Sequence, residues 1–138
     1  RNLFIFPAVE GFQESPINLN SSSAIHTSLY DASQFNVYYG QNIIEKIEKI
    51  KNHILIQIRE IRDVDSDLRA SHLDARYRLV QYHGHWNIDT TTRGREHIID
   101  GTFYPAEFHF VHIREDFSTL PEAVGKNGVA VIAVFLQV

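Results

Sequence analysis

Between Tyr77 and Trp86 the chain reads Tyr-Arg-Leu-Val-Gln-Tyr-His-Gly-His-Trp, and from Ala106 to His112 it reads Ala-Glu-Phe-His-Phe-Val-His. Both runs alternate and are rich in β-branched and aromatic residues, so each is expected as a strand. A strand puts residues i and i+2 on one face. His83 and His85 therefore share a face, with Gln81 beside them. On the second run Glu107, His109 and Val111 share a face, while Phe108, Phe110 and His112 point the other way. Laid side by side, the two strands would bring His83, His85 and His109 to one point.

A buried imidazole carries polar nitrogens that must find partners. Two readings of the histidines follow from the pattern. They are ordinary hydrogen-bonded side chains, or they hold a metal ion. Zinc is the usual ion for imidazole ligands, and a catalytic zinc keeps three protein ligands and a fourth position for water. The spacing alone leaves both readings open.

Composition narrows the partners. The chain has 138 residues, of which 43% are hydrophobic, enough for the core of one domain. A formal net charge of −4 without basic clusters argues against nucleic acid or an anionic membrane surface as the main partner. No apolar run approaches the roughly 20 residues that cross a bilayer, and Leu3 to Phe6, closed by Pro7, is too short for the core of a signal peptide. There are no cysteines, so disulfides and thiolate metal sites are excluded. Localisation stays open: the lack of cysteine favours a reducing, cytoplasmic setting, whereas Asn20-Ser21-Ser22 matches a glycosylation acceptor of secreted proteins. Nothing in the sequence sets the oligomeric state.

Elsewhere the pattern is more local. Residues 1–14, interrupted by Pro7 and Gly11, read as an irregular lead-in. Phe35 to Tyr39 is a short β-prone run closed by Gly40. From Gln41 to Glu60, Ile43, Ile47, Ile50 and Ile54 recur at spacings of three and four, with Glu45, Lys46, Glu48 and Lys49 between them, the signature of an amphipathic helix. Leu55 to Ile58, in contrast, alternates as a strand does. Arg59 to Ala75 reads as an exposed, charged connection. Its acidic residues Asp63, Asp65 and Asp67 lack the glycine and terminal glutamate of a calcium loop. Asn87 to Arg95 should be a loop, Leu120 to Val124 a short helix, and Val129 to Val138 a strand buried on both faces.

Five separated segments, in order and with matching spacing, resemble the alpha-class carbonic anhydrases: Glu14 to Leu19, Tyr77 to Trp86, Gly94 to Gly101, Tyr104 to His112 and Val129 to Val138. The resemblance implies a mainly β fold, a large twisted mixed sheet with a few short helices, and residues 1–138 as a partial domain covering its N-terminal and central part. In that family the region from Gln41 to Glu60 is strands joined by turns. The resemblance also implies zinc on His83, His85 and His109, and reversible hydration of carbon dioxide to bicarbonate by a zinc-bound hydroxide.

Several further roles come by the same resemblance. Glu107 would accept the N–H of a ligand histidine. Glu96 would accept a hydrogen bond from a threonine that orients the hydroxide, and His97 would lie buried behind the ligands. His53 is the nearest match to the proton-shuttling histidine. Gln81 would line the polar side of the cavity, and Val111 and Val131 its apolar wall. Three positions depart from the family: Gly84 replaces a bulky apolar residue between two ligands, Asn87 replaces glycine, and Ile113 replaces tryptophan. The threonine belongs to a part of the family domain beyond Val138. The alternatives to the enzyme are a non-catalytic binding module of the same fold, an inactive fragment, and a zinc hydrolase acting on other substrates.

Overall fold

A computed structural model describes residues 17–25, 32–41, 44–50, 53–58, 66–86 and 96–137. The lead-in over residues 1–14, the Ser15-Pro16 pair, residues 59–65 of the acidic run and the loop at residues 87–95 lie outside them.

The described residues form mainly strands: β1 (Asn18–Leu19), β2 (Asn36–Tyr39), β3 (Ile44–Ile50), β4 (His53–Ile58), β5 (Ser66–Arg69), β6 (Tyr77–Trp86), β7 (Ile98–Ile99), β8 (Ala106–Arg114) and β9 (Val129–Leu136), with one short α-helix, α1 (Leu120–Ala123). Seven strands make one antiparallel sheet around β6. Along one edge of β6, β4 pairs with residues Gln81 to His85, and β5 meets it at Tyr77. Its other edge is covered by β8, which in turn carries β9. Among the described strands, parallel pairing is confined to a separate two-stranded ladder, β1 with β7.

Between Leu79, opposite His112, and Gln81, opposite Val111, the register of β6 shifts, so Val80 is an extra residue with no counterpart on β8. Such a bulge bends a strand and reverses its alternation. Tyr77 and Leu79 are buried, and beyond Val80 the residues Gln81, His83 and His85 occupy the opposite face, in register with Val111, His109 and Glu107.

Leu68, Tyr77, Leu79, Val111, Ile113 and Ala123 form the buried apolar set among the described residues. Burying a side chain such as Leu68 contributes roughly 1.5–3 kcal/mol. Polar groups beside them are drawn into hydrogen bonds. Ser66 Oγ accepts the Leu79 backbone N–H at 2.8 Å, and the Tyr77 hydroxyl donates to the Asn127 carbonyl at 2.9 Å. His112 is fully buried on the face away from His109, where the Tyr39 hydroxyl lies 2.9 Å from its Nε2. Beside them Tyr39 stacks on Phe110 at 5.7 Å.

Three local expectations are corrected. The isoleucine spacing from Gln41 to Glu60 does not make a helix: β3 and β4 pair antiparallel from Ile50 opposite His53 outward to Ile44 opposite Ile58. Isoleucine is stiff at χ1 and favours strands, and pairing of β4 with β6 adds contacts that a lone helix would lack. The charged stretch Arg59 to Ala75 is not wholly an exposed connection. It contains β5, in which Ser66 and Leu68 are buried, and its Asp67 pairs with Arg69 and Arg76. Finally, β9 is not buried on both faces. It pairs only with β8 among the described strands, and Val131, Val134 and Leu136 are 53%, 42% and 42% exposed. An apolar run marks a strand but does not say how many neighbours cover it. The short helix near Leu120 to Val124 is present, with Pro121 in its first turn.

Candidate metal centre

Adjacent strands β6 and β8 set four side chains in a grid: His83 lies opposite His109, and His85 lies opposite Glu107. Directly paired residues of an antiparallel ladder share a face. The three imidazoles therefore meet on one side of the sheet, with ring centroids 4.9 Å apart for His83 and His85, 5.2 Å for His83 and His109, and 5.0 Å for His85 and His109. One nitrogen from each of the three rings falls within 4.8 Å of the others. This group can hold a metal ion.

Glu107 fixes the third ring. Its side chain is only 2% exposed, and a buried carboxylate needs donors. Three N–H groups supply them: Oε1 accepts from His109 Nε2 and from His97 Nδ1, both at 2.7 Å, and Oε2 accepts from the His97 backbone N–H at 3.0 Å. A carboxylate only accepts, so a neutral His109 facing it would present Nε2–H and leave Nδ1 as its basic nitrogen. His97 is partly rather than fully buried, its side chain being 19% exposed.

The residues before β7 enter because that short strand is anchored elsewhere. Ile98 N–H bonds Ile17 O at 3.1 Å, and Asp100 Oδ1 accepts the Ser21 N–H at 2.7 Å. With β7 held by β1, Glu96 and His97 are delivered to the edge of the histidine cluster. Glu96 Oε1 lies 3.0 Å from His85 Nδ1, and its Oε2 lies 3.6 Å from His109 Nε2. Burial pushes the Glu96 carboxyl above its usual range; the nearby His109 pulls it down and the Glu107 charge pushes it up again.

The remaining expected residues sit around this cluster. Gln81, Val111 and Val131 form one row across β6, β8 and β9; Val111 is buried and Val131 exposed. Ala133 stands beside His109 in the next row, a position the sequence reading passed over although it lies two residues from Val131. His53 is opposite His85 in the ladder of β4 and β6, and its side chain is outside the described residues. The calcium-loop pattern is partly outside them too.

The profile of the eukaryotic-type carbonic anhydrases matches residues 4–138. The chain belongs to that family. It is similar to carbonic anhydrase 1 of Mus musculus, with 31% identity over 136 residues, covering 97% of this chain and 51% of the relative. Similarity to carbonic anhydrase 1 of Oryctolagus cuniculus is 34% over 131 residues, 93% of this chain and 53% of the relative, and to that of Monodelphis domestica 31% over 137 residues, 96% and 50%. The chain thus spans about half the length of the curated carbonic anhydrases it matches. No helix among the described residues is long and apolar enough to cross a membrane, which says nothing of a β-barrel.

Within a carbonic anhydrase the donor set fits zinc well. It offers imidazole nitrogens without thiolates, and a carboxylate fixes the tautomer of His109 from behind, a common arrangement at zinc sites.

Proposed function

We propose that this chain is the zinc-holding part of a carbonic anhydrase and hydrates carbon dioxide reversibly to bicarbonate, with His83, His85 and His109 as the metal ligands. The observation that carries this reading is the convergence of the three rings on one face, with Glu107 behind His109, in a member of this family. Zinc on three neutral imidazoles would keep its double charge and bring the pKa of a coordinated water down to about 7, the chemistry that hydration needs.

The chain's own residues do the rest. Glu107 would hold the His109 proton on Nε2 and leave Nδ1 as the nitrogen offered to the ion, while His97 braces the carboxylate through two N–H bonds. Val111 and Val131, in one row beside the imidazoles, give an apolar surface for a small uncharged substrate. Gln81, in the same row, supplies a polar boundary. Each turnover releases a proton, and a histidine suits its export because its ordinary pKa lies near 6.5. We assign that task to His53, whose backbone pairs with His85.

The test is zinc content and carbon dioxide hydration measured on the same purified chain, beside His109→Ala. One zinc per chain, hydration by the parent and loss of both in the variant support the reading. Zinc without hydration favours a metal-binding module of this fold. Neither zinc nor hydration rejects the proposal.

A further inference from the structure

Resting on the zinc reading above, we infer that Glu96 is a positioning residue for the metal centre, its carboxylate lying at ion-pair distance from His85 Nδ1 while Glu107 is hydrogen-bonded to His109 Nε2. The role differs from the one the family resemblance implies for Glu96, which is to accept a hydroxyl. It follows from a contact within this chain: Glu96 Oε1 is 3.0 Å from His85 Nδ1.

The chemistry is directional. A carboxylate cannot donate, so a neutral ring facing it presents an N–H. Neutral imidazole has one such proton. With it on Nδ1, Nε2 is the basic nitrogen of His85, and the ring is set in one tautomer before any ion arrives. The same carboxylate reaches toward a second ligand, since its Oε2 is 3.6 Å from His109 Nε2. Glu96 therefore spans β6 and β8 at the point where their ligands meet, and it is tied to the separate β1 and β7 ladder through the next residues of the chain. The side chains of His85 and Glu96 are 29% and 22% exposed, so water competes with this contact less than it would at the surface.

Two variants separate this role from general support. Glu96→Gln keeps an oxygen that accepts from His85, and Glu96→Leu removes it. Zinc affinity is read on the full chain by competition with a chromophoric chelator, and the His85 tautomer by nitrogen NMR on the metal-free protein. Expected are a Glu96→Leu affinity about 10- to 100-fold weaker than the parent, the range typical of lost partners behind ligands, and recovery of most of it in Glu96→Gln. The parent and Glu96→Gln should show His85 protonated at Nδ1, and Glu96→Leu a mixture of tautomers. Parent-like zinc affinity in a folded Glu96→Leu protein, or His85 protonated at Nε2 in the parent, would overturn the inference and leave the zinc reading standing. A parent that binds no zinc would sink both.

Discussion

The ring of Phe108 occupies the space that a side chain at Gly84 would need. A Cβ on Gly84 would lie 2.6 Å from Phe108 Cε1 and 2.9 Å from Cζ, and the two residues pair directly across β6 and β8. Gly84 separates His83 from His85, so the ring of Phe108 fills the space beside the peptide that joins them. Gly84→Ala should therefore cost about 1–3 kcal/mol through overpacking, and adding Phe108→Leu should return most of it. Urea midpoints of the single and double variants check this; a neutral Gly84→Ala would show that Phe108 moves aside freely.

Acid should weaken the fold through His112. Burial holds its imidazole down to about 4, partly offset by the nearby carbonyls of Ala130 and Phe110. Unfolded, it takes a proton near its ordinary 6.5. Between these values the unfolded chain binds more protons than the folded one, so stability falls as pH drops from about 6.5 to about 4, by roughly 3 kcal/mol from this group. Above 6.5 the contribution is constant. Comparing the pH dependence of unfolding in the parent and His112→Gln isolates the effect, and equal slopes would argue against it.

Zinc should stabilise the folded chain by mass action, because the ligands come from two strands that lie together only when folded. At free zinc a hundredfold above Kd the gain is about 2.7 kcal/mol. Melting temperature should rise with added zinc in the parent, return on chelation, and fail to respond in His83→Ala or His109→Ala.

Ser66→Ala removes the acceptor of the buried Leu79 N–H, bonded at 2.8 Å. An orphaned buried donor costs about 1–3 kcal/mol. Ser66→Thr retains a hydroxyl, so a smaller loss there, read by the same denaturation series, would assign the cost to the hydrogen bond.

The strands that carry the histidines were legible because alternation is a property of the strand itself: Tyr77 to Trp86 and Ala106 to His112 announce their elements, and within them Gln81 to His85 and Glu107 to Val111 announce their faces, whereas the phase shift at Val80 is not written in the alternation. Patterns settled by neighbours were less so. Ile43, Ile47, Ile50 and Ile54 fit a helix until β4 is seen against β6, and Leu68 is isolated in a charged stretch until β5 meets Tyr77. The exposure of Val131 likewise depends on what lies beside β9, and no residue in that run encodes it. In the candidate centre, residues close in sequence were easiest to connect. The contact of Glu96 with His85 needed the anchoring of β7 by β1, which joins segments far apart in the chain.

Val80 alters how β6 counts. A strand assigns its side chains by parity, and odd-numbered Tyr77 and Leu79 belong by that rule with His83 and His85. The extra residue shifts the phase by one, so Tyr77 and Leu79 lie on the face of His112 while Gln81, His83 and His85 lie on the face of His109. Deleting Val80 would shorten β6 by only one residue, yet it would bring the two halves into step. Either the imidazoles would turn to the face of His112 or Leu79 would leave it.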